Sequence, residues 1–290
     1  MTSDNLSSAA AASGTFLIGG DISVNRLGFG SMQLTGRNGF GPSRDANAAR
    51  AVLRRAVELG VTLIDTADAY GPGVAEELIG EALAPYKSDV VVATKGGYVR
   101  SRRGDWITDG RPEHLREAVE GSLQRLRLEV IDLYQLHRID GGVPLADQIG
   151  ALLELRNAGK IRHIGLSEVS VEQIEEASSI APISTVQNLY NLGQRGAESV
   201  VRYAEERGIG FIPWFPLATG GLTKRFASTE EIGSKFGATP SQVALAWLLQ
   251  HSTTMLPIPG TSSVDHLEEN VAASGLRLDS EAISVLDQAA

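Results

Sequence analysis

Along this chain, short apolar runs alternate with longer stretches in which apolar residues recur every three or four positions. The short runs, rich in Val, Ile and Leu, are too brief for helices and read as buried strands. They fall at 27–32, 61–64, 90–94, 131–136, 161–166, 185–187, 209–215 and 255–258. The stretches between them carry the helical period. Residues 45–59 set Ala49, Val52, Leu53, Ala56 and Val57 on one face and stop at Gly60. Similar patterns cover 75–83, 111–126, 144–158, 171–178, 196–207, 230–236, 241–250, 264–273 and 280–288. Two more short strands, 15–18 and 22–24, flank Gly19-Gly20-Asp21 and read as a hairpin able to close one end of a barrel. Residues 96–110, carrying Arg100, Arg102, Arg103, Asp105 and Trp106, read as a long polar loop. Residues 1–13 are rich in Ser and Ala, which predicts a disordered tail.

Repeated strand-then-helix units demand parallel strands with crossover helices, and eight such units suffice to close the sheet. The expected fold is therefore α/β: a (β/α)8 TIM barrel with an N-terminal β-hairpin, forming a single domain over residues 14–290. A doubly wound open sheet is the competing architecture. It calls for G-x-G-x-x-G between the first strand and its helix, and Gly28-Phe29-Gly30-Ser31-Met32-Gln33 lacks the third glycine.

Composition narrows the function more than the fold. At 290 residues and 42% hydrophobic content the chain can bury a barrel-sized core. A net charge of -9 argues against binding a phosphate backbone, so nucleic acid is not an expected partner. The absence of cysteine excludes disulfides, thiolate nucleophiles and cysteine metal sites. No Lys or Arg opens the chain and no apolar run nears the ~18 residues of a membrane span, so neither signal peptide nor membrane contact is expected. A cytoplasmic location is the expectation. The pattern carries no signal of oligomeric state.

The candidate chemistry lies where strands end. The run 61–64 gives way to Asp65, with Tyr70 five residues on; 90–94 runs into Lys95, and 131–136 into His137. An acid, a phenol, an ammonium and an imidazole can thus share one rim, although any single strand-end charge is also what a solvated terminus looks like. Delivering hydride to a carbonyl carbon builds negative charge on oxygen, which needs a proton donor in the same transition state. A phenol with a pKa of about 10 is a weak match for neutral pH, and an adjacent ammonium favours its anion. Lys95 fits that need, Asp65 can keep Lys95 charged and aimed, and His137 can donate an N–H to the carbonyl oxygen. A metal-dependent hydrolase would want clustered ligands at strand ends. Only His137 among five histidines qualifies, so no metal site is expected.

Asp65-Thr66-Ala67-Asp68-Ala69-Tyr70-Gly71, Thr94-Lys95, Leu136-His137, Gly165-Leu166-Ser167 and Gln187-Asn188-Leu189-Tyr190-Asn191 together resemble the aldo-keto reductases over about residues 15–288. The resemblance implies a barrel that binds NADP(H) without a Rossmann fold, with NADPH preferred over NADH. It makes Tyr70 the general acid, Lys95 and Asp65 its tuning pair, and His137 the group that orients the carbonyl. It puts Ser167 and Gln187 on the nicotinamide carboxamide and Trp214 flat against the ring. Pro216, Leu217, Gly221 and Lys224 would belong to a pyrophosphate loop, although adjacent glycines fit a plain turn equally well. Gly260, Ser262, Ser263, His266, Glu269 and Asn270 would form the adenosine-phosphate segment. That segment lacks the Arg or Lys often used for the 2′-phosphate, which leaves the serines, His266 and a helix N-terminus. Where the family usually follows its serine with Asn, this chain has Glu168, which can accept from a carboxamide NH2 but cannot donate to its oxygen.

Met32, Trp106 and Trp214 are the expected substrate contacts, while Arg100, Arg102 and Arg103 fit either an anion-attracting or a merely solvated loop. Ser23-Val24-Asn25-Arg26-Leu27-Gly28, Ala244-Leu245-Ala246-Trp247-Leu248-Leu249-Gln250 and Ile258-Pro259-Gly260-Thr261-Ser262-Ser263 resemble the bacterial pyridoxal reductase branch. The implied activity is reduction of a small aldehyde or ketone, pyridoxal among the candidates. A nicotinamide-binding regulatory subunit on the same fold is the competing reading.

Overall fold

The chain enters the barrel through its floor. In the computed structural model, which describes residues 9–217 and 227–288, strands β1 (Thr15–Ile18) and β2 (Ile22–Asn25) pair antiparallel. They turn at Gly19 and Gly20, both at positive φ (61° and 87°), where a side chain would be strained. The hairpin is pinned to the barrel by Asn25, whose N–H donates to Thr62 Oγ1 and whose Nδ2 donates to Gly60 O, both at 2.7 Å. Asp21 reaches His163 Nε2 at 2.6 Å, and His163 Nδ1 meets Ser184 Oγ at 3.1 Å.

Above it runs one parallel sheet, formed by β3 (Phe29–Gly30), β4 (Leu63–Asp65) and β5 (Val91–Gly96) and continued by β8 (Ile131–Leu136), β9 (Ile161–Ser167), β10 (Ile183–Leu189) and β11 (Gly210–Trp214). Between β5 and β8 lie β6 (Tyr98–Arg100) and β7 (Trp106–Thr108), a separate antiparallel pair. The long polar loop expected over 96–110 is thus corrected to a short hairpin. Its strands are three residues each and face partly or wholly outward, so they leave no apolar alternation in the sequence.

The expected eighth strand, 255–258, closes the barrel without becoming a regular ladder strand. On one side Phe211 N donates to Thr254 O (2.9 Å) and Leu256 N to Phe211 O (2.8 Å); on the other Gly28 N donates to Pro257 O (2.9 Å). Pro257 and Pro259 have no N–H to give, so the seam accepts hydrogen bonds from β3 and returns none through those residues.

Ten helices pack around the described barrel: α1 (Ala46–Glu58), α2 (Val74–Leu83), α3 (Pro112–Leu126), α4 (Leu145–Asn157), α5 (Val171–Ser178), α6 (Glu198–Arg207), α7 (Ala227–Phe236), α8 (Pro240–His251), α9 (Val264–Ala272) and α10 (Ser280–Gln288). Local chemistry sets their ends. Asp45 caps α1 by accepting from Asn47 N and Ala48 N, and a capping box joins Thr239 to Gln242 at the start of α8; such caps are worth about 1 kcal/mol each. Part of the expected tail is also corrected. Residues 9–13 form a 3-10 turn in which Ala10 is buried and its N–H donates to Leu59 O, while residues 1–8 lie outside the described part.

Strand alternation fixes what lies inside. Leu63, Val91, Ala93, Leu133, Ile212, Leu256 and Ile258 form an apolar cluster with Ile18, Ile22 and Val24 of the hairpin. Two residues further along, the same inward-facing positions become Asp65, Lys95 and Gln135, because side chains of one face recur at period two. The barrel is greasy at the hairpin end and polar at the strand C-termini. No helix among the described residues is long and apolar enough to cross a membrane.

Candidate active site

At the C-terminal end of the strands, Lys95 Nζ donates to Asp65 Oδ2 at 2.6 Å and to Thr66 O at 2.8 Å, with both charged residues buried. The other carboxylate oxygen, Asp65 Oδ1, accepts from Gln187 Nε2 (2.9 Å) and Gln135 Nε2 (3.2 Å). Burying two charges costs several kcal/mol per ion unless their hydrogen bonds are completed, and here three different strands complete them. Burial by itself would lower the Lys95 ammonium, but the Asp65 carboxylate and Tyr70 outweigh it and hold the group above its ordinary value. Asp65 is therefore a buried partner of a cation rather than a solvated strand end.

Tyr70 sits in the turn after β4, its N–H donating to Ala67 O, with Lys95 Nζ 5.3 Å from its ring centroid. Burial pushes the phenol above its ordinary value, against the opposing pull of Lys95. The expected lowering by lysine is thus present as a direction but does not prevail over desolvation. His137 meets the Tyr70 ring edge-on at 5.9 Å. Burial, then the cations Lys95, Arg138 and Arg100, hold its imidazole well below the ordinary histidine range, so it is a neutral ring with one N–H to donate. Its buried Nδ1 has no partner among the described residues.

The β6–β7 hairpin supplies the wall. Tyr98 lies 4.8 Å and Trp106 5.8 Å from the His137 ring, centroid to centroid, and Trp106 meets Tyr70 at 6.3 Å. Arg100 holds this wall: its guanidinium lies 3.7 Å over the Trp106 ring and 5.1 Å from Phe40, and donates to Gly104 O and Gly39 O. Such stacking and bonding commit Arg100 to the loops around it.

The resulting cleft has a volume of about 880 Å³ and reaches from Asp65, Tyr70 and His137 past Trp106 to Met32 and out to Ser262. Ser167, Gln187, Trp214, Pro216, Leu217 and Gly260 also line it. Ser263, His266, Glu269 and Asn270 are not among its walls. Ser263 caps α9; Glu269 accepts from Thr239 Oγ1 at 2.6 Å; Asn270 is buried; and His266 is exposed. Gly221 and Lys224 lie outside the described residues.

Glu168 turns to the protein. In a left-handed conformation (φ 56°), it accepts from Trp214 Nε1 and from Leu189 N, both at 2.6 Å. Two contributors go unnoticed in the sequence reading. Gln135 is the inward position two residues before His137, which a strict period-two reading of 131–137 would have flagged. Arg138 lines the cleft and donates to Ser167 Oγ at 3.0 Å, and nothing local in the sequence announces that contact. Among the described residues, no group of three or more His, Asp and Glu side chains could hold a metal ion.

A barrel whose strand ends unite a buried ion pair with a phenol and a neutral imidazole defines a barrel oxidoreductase of carbonyl and alcohol groups. Residues 26–290 match the aldo/keto reductase family. The chain belongs to that family. It is 46% identical over 283 residues to pyridoxine 4-dehydrogenase of Escherichia coli, covering 95% of this chain and 98% of the relative. It is also 48% identical over 279 residues to an oxidoreductase of Schizosaccharomyces pombe, covering 96% and 90% of the two chains. Among solved structures, the aldo/keto reductase of Klebsiella pneumoniae in complex with NADP and acetate superposes with a TM-score of 0.80 at 28% identity, covering 94% of each chain.

Proposed function

We propose that this chain, with residues 14–290 acting as one catalytic unit in the cytoplasm, reduces small aldehydes or ketones to alcohols with NADPH. The observation that carries the reading is the convergence of Asp65, Lys95, Tyr70 and His137 at the inner end of one cleft. The donor set there suits a nicotinamide. Among the described residues Gln187 makes its side-chain bonds through Nε2 alone, so its Oε1 is an available acceptor, Ser167 brings a hydroxyl, and Trp214 offers an aromatic wall. The bound cofactor supplies the hydride.

The residues of the chain handle oxygen and proton. His137, kept neutral, donates its N–H to the carbonyl oxygen and aims the carbon inward. Tyr70 passes its phenolic proton to the same oxygen as negative charge gathers there. Lys95 stabilises the phenolate that remains, and Asp65 with its two glutamine partners keeps the ammonium charged and in place. A phenol held above its ordinary value stays protonated at neutral pH and releases its proton only to a stronger base, the forming alkoxide.

The aromatic wall of Tyr98 and Trp106 and the identity to pyridoxine 4-dehydrogenase favour a compact aromatic aldehyde, pyridoxal first among them. The test is steady-state reduction of pyridoxal beside 4-nitrobenzaldehyde, methylglyoxal and a small ketone, with NADPH oxidation as the signal. Pyridoxal should give the highest kcat/KM. A value no better than those of the generic aldehydes would overturn the pyridoxal assignment.

A further inference from the structure

A primary carboxamide asks two things of a binding site: a donor for its oxygen and an acceptor for its NH2. The acceptor is at hand in Gln187 Oε1, because Gln187 Nε2 is occupied by Asp65 Oδ1 (2.9 Å) and Gln135 Oε1 (3.3 Å). The donor is the difficulty. Glu168 follows Ser167, and a carboxylate cannot donate; its Oε1 is moreover engaged by Trp214 Nε1 and Leu189 N. Ser167 remains, and a lone serine hydroxyl can rotate away.

Here its rotation is restricted. Arg138 donates from one terminal nitrogen to Ser167 Oγ (3.0 Å) and to its neighbour's carbonyl, His137 O (2.7 Å), while its guanidinium lies 5.7 Å from the Tyr98 ring centroid. An oxygen that accepts from a fixed cation must point its own hydrogen elsewhere, and the charge strengthens that O–H as a donor. Ser167 and Arg138 both line the cleft beside Gln187 and Trp214. Among the described residues, the remaining donors of both side chains have no other partner.

We infer that Arg138 is a positioning residue of the nicotinamide subsite: it sets the Ser167 hydroxyl as the donor to the carboxamide oxygen, while Glu168 braces the Trp214 indole instead of touching the carboxamide. The division of labour rests on the reading of this cleft as an NADP(H) site. It divides three tasks among four neighbouring residues, with Gln187 taking the NH2, Ser167 and Arg138 serving the oxygen, and Glu168 holding the ring wall.

The test is binding, read apart from turnover. Dissociation constants for NADPH are measured by quenching of protein fluorescence, and those for 2′,5′-ADP, which lacks the nicotinamide half, by calorimetry. Arg138→Met should weaken NADPH about ten-fold, the scale of one charge-assisted hydrogen bond, and leave 2′,5′-ADP within about two-fold. Arg138→Lys should recover part of the loss. Because Arg138 acts through Ser167, the double variant Arg138→Met/Ser167→Ala should bind NADPH no more weakly than Ser167→Ala alone. Unchanged NADPH binding in Arg138→Met, equal weakening of both ligands, or additive losses in the double variant would each overturn the inference. A wild-type protein that bound neither ligand would instead remove the NADP(H) reading itself.

Discussion

Replacing Asp65 with Asn is nearly isosteric, yet it should be among the most damaging substitutions in the barrel. Oδ2 now accepts from Lys95 and Oδ1 from two glutamine Nε2 groups. An asparagine that keeps its oxygen toward Lys95 must point its NH2 at those donors, and one that flips must point it at an ammonium. Either way, donors face donors in a buried site, and the Lys95 charge loses its only carboxylate partner among the described residues. Breaking a buried ion pair by removing one member costs about 3–5 kcal/mol. For a chain of this size that corresponds to a fall in Tm on the order of 6–10 °C.

The pH dependence sharpens the expectation. In the wild type Lys95 lies above its ordinary value of 10.5, so its contribution is fully present below about pH 10.5 and is lost only as pH rises through the folded value. In Asp65→Asn, burial is no longer opposed by a carboxylate and the folded value falls below 10.5. That variant should gain stability as the pH is raised from 7 toward 10, opposite to the usual alkaline decline. Urea denaturation at several pH values reads both effects. The double variant Asp65→Asn/Lys95→Met removes the stranded charge and should recover a good part of the loss. A single variant within about 0.5 kcal/mol of wild type, or a double variant no better than the single, would refute this account of the ion pair.

Tyr70→Phe should lower kcat by about 10² or more while NADPH binding stays within a few-fold, and near-normal turnover would remove Tyr70 from its proposed role. His137 is held well below its ordinary value of 6.5, so it contributes stability above that pH which is lost as pH falls below it. His137→Gln should therefore flatten the stability profile between about pH 4 and 6.5, and an unaltered slope there would contradict the burial of a neutral ring. Arg100→Met should loosen the Trp106 wall and raise KM for an aromatic aldehyde with a smaller change for methylglyoxal. Equal changes for both substrates would show that the wall does not contact the ring.

Much of the fold was legible because barrel strands write themselves as apolar runs and their helices as three- and four-residue spacings. Asp65, Lys95 and His137 stood out because each interrupts such a run where the strand emerges, and the structure brings them together with Tyr70. What escaped the sequence has physical reasons. Glu168 reaches Trp214 across 46 positions, and Arg138 reaches Ser167 across 29, pairings that exist only once β8, β9, β10 and β11 lie side by side. The β6–β7 hairpin was hidden because its faces are wet and Arg100 does the packing that apolar residues do elsewhere. The closing segment reads as a strand from its Met, Leu and Ile, but Pro257 and Pro259 deny it a ladder.

That proline-bearing seam bears on how the protein is made. The backbone partner that β3 receives on one side is Ile64 and Asp65, available early, but on the other it is the carbonyl of Pro259, 229 positions downstream of Gly30. Arg26 is bound the same way, donating to Leu249 O, Ser252 O and Met255 O. A ribosome adding about 5–20 residues per second would expose the first strand for on the order of ten seconds or more before its far neighbour exists. During that interval β3 offers an open edge, and its brevity, two residues, limits what a stray strand can pair with. Ring closure is therefore a late event in the life of each nascent chain, and a ribosome stalled before residue 255 holds an unclosed sheet rather than a smaller barrel.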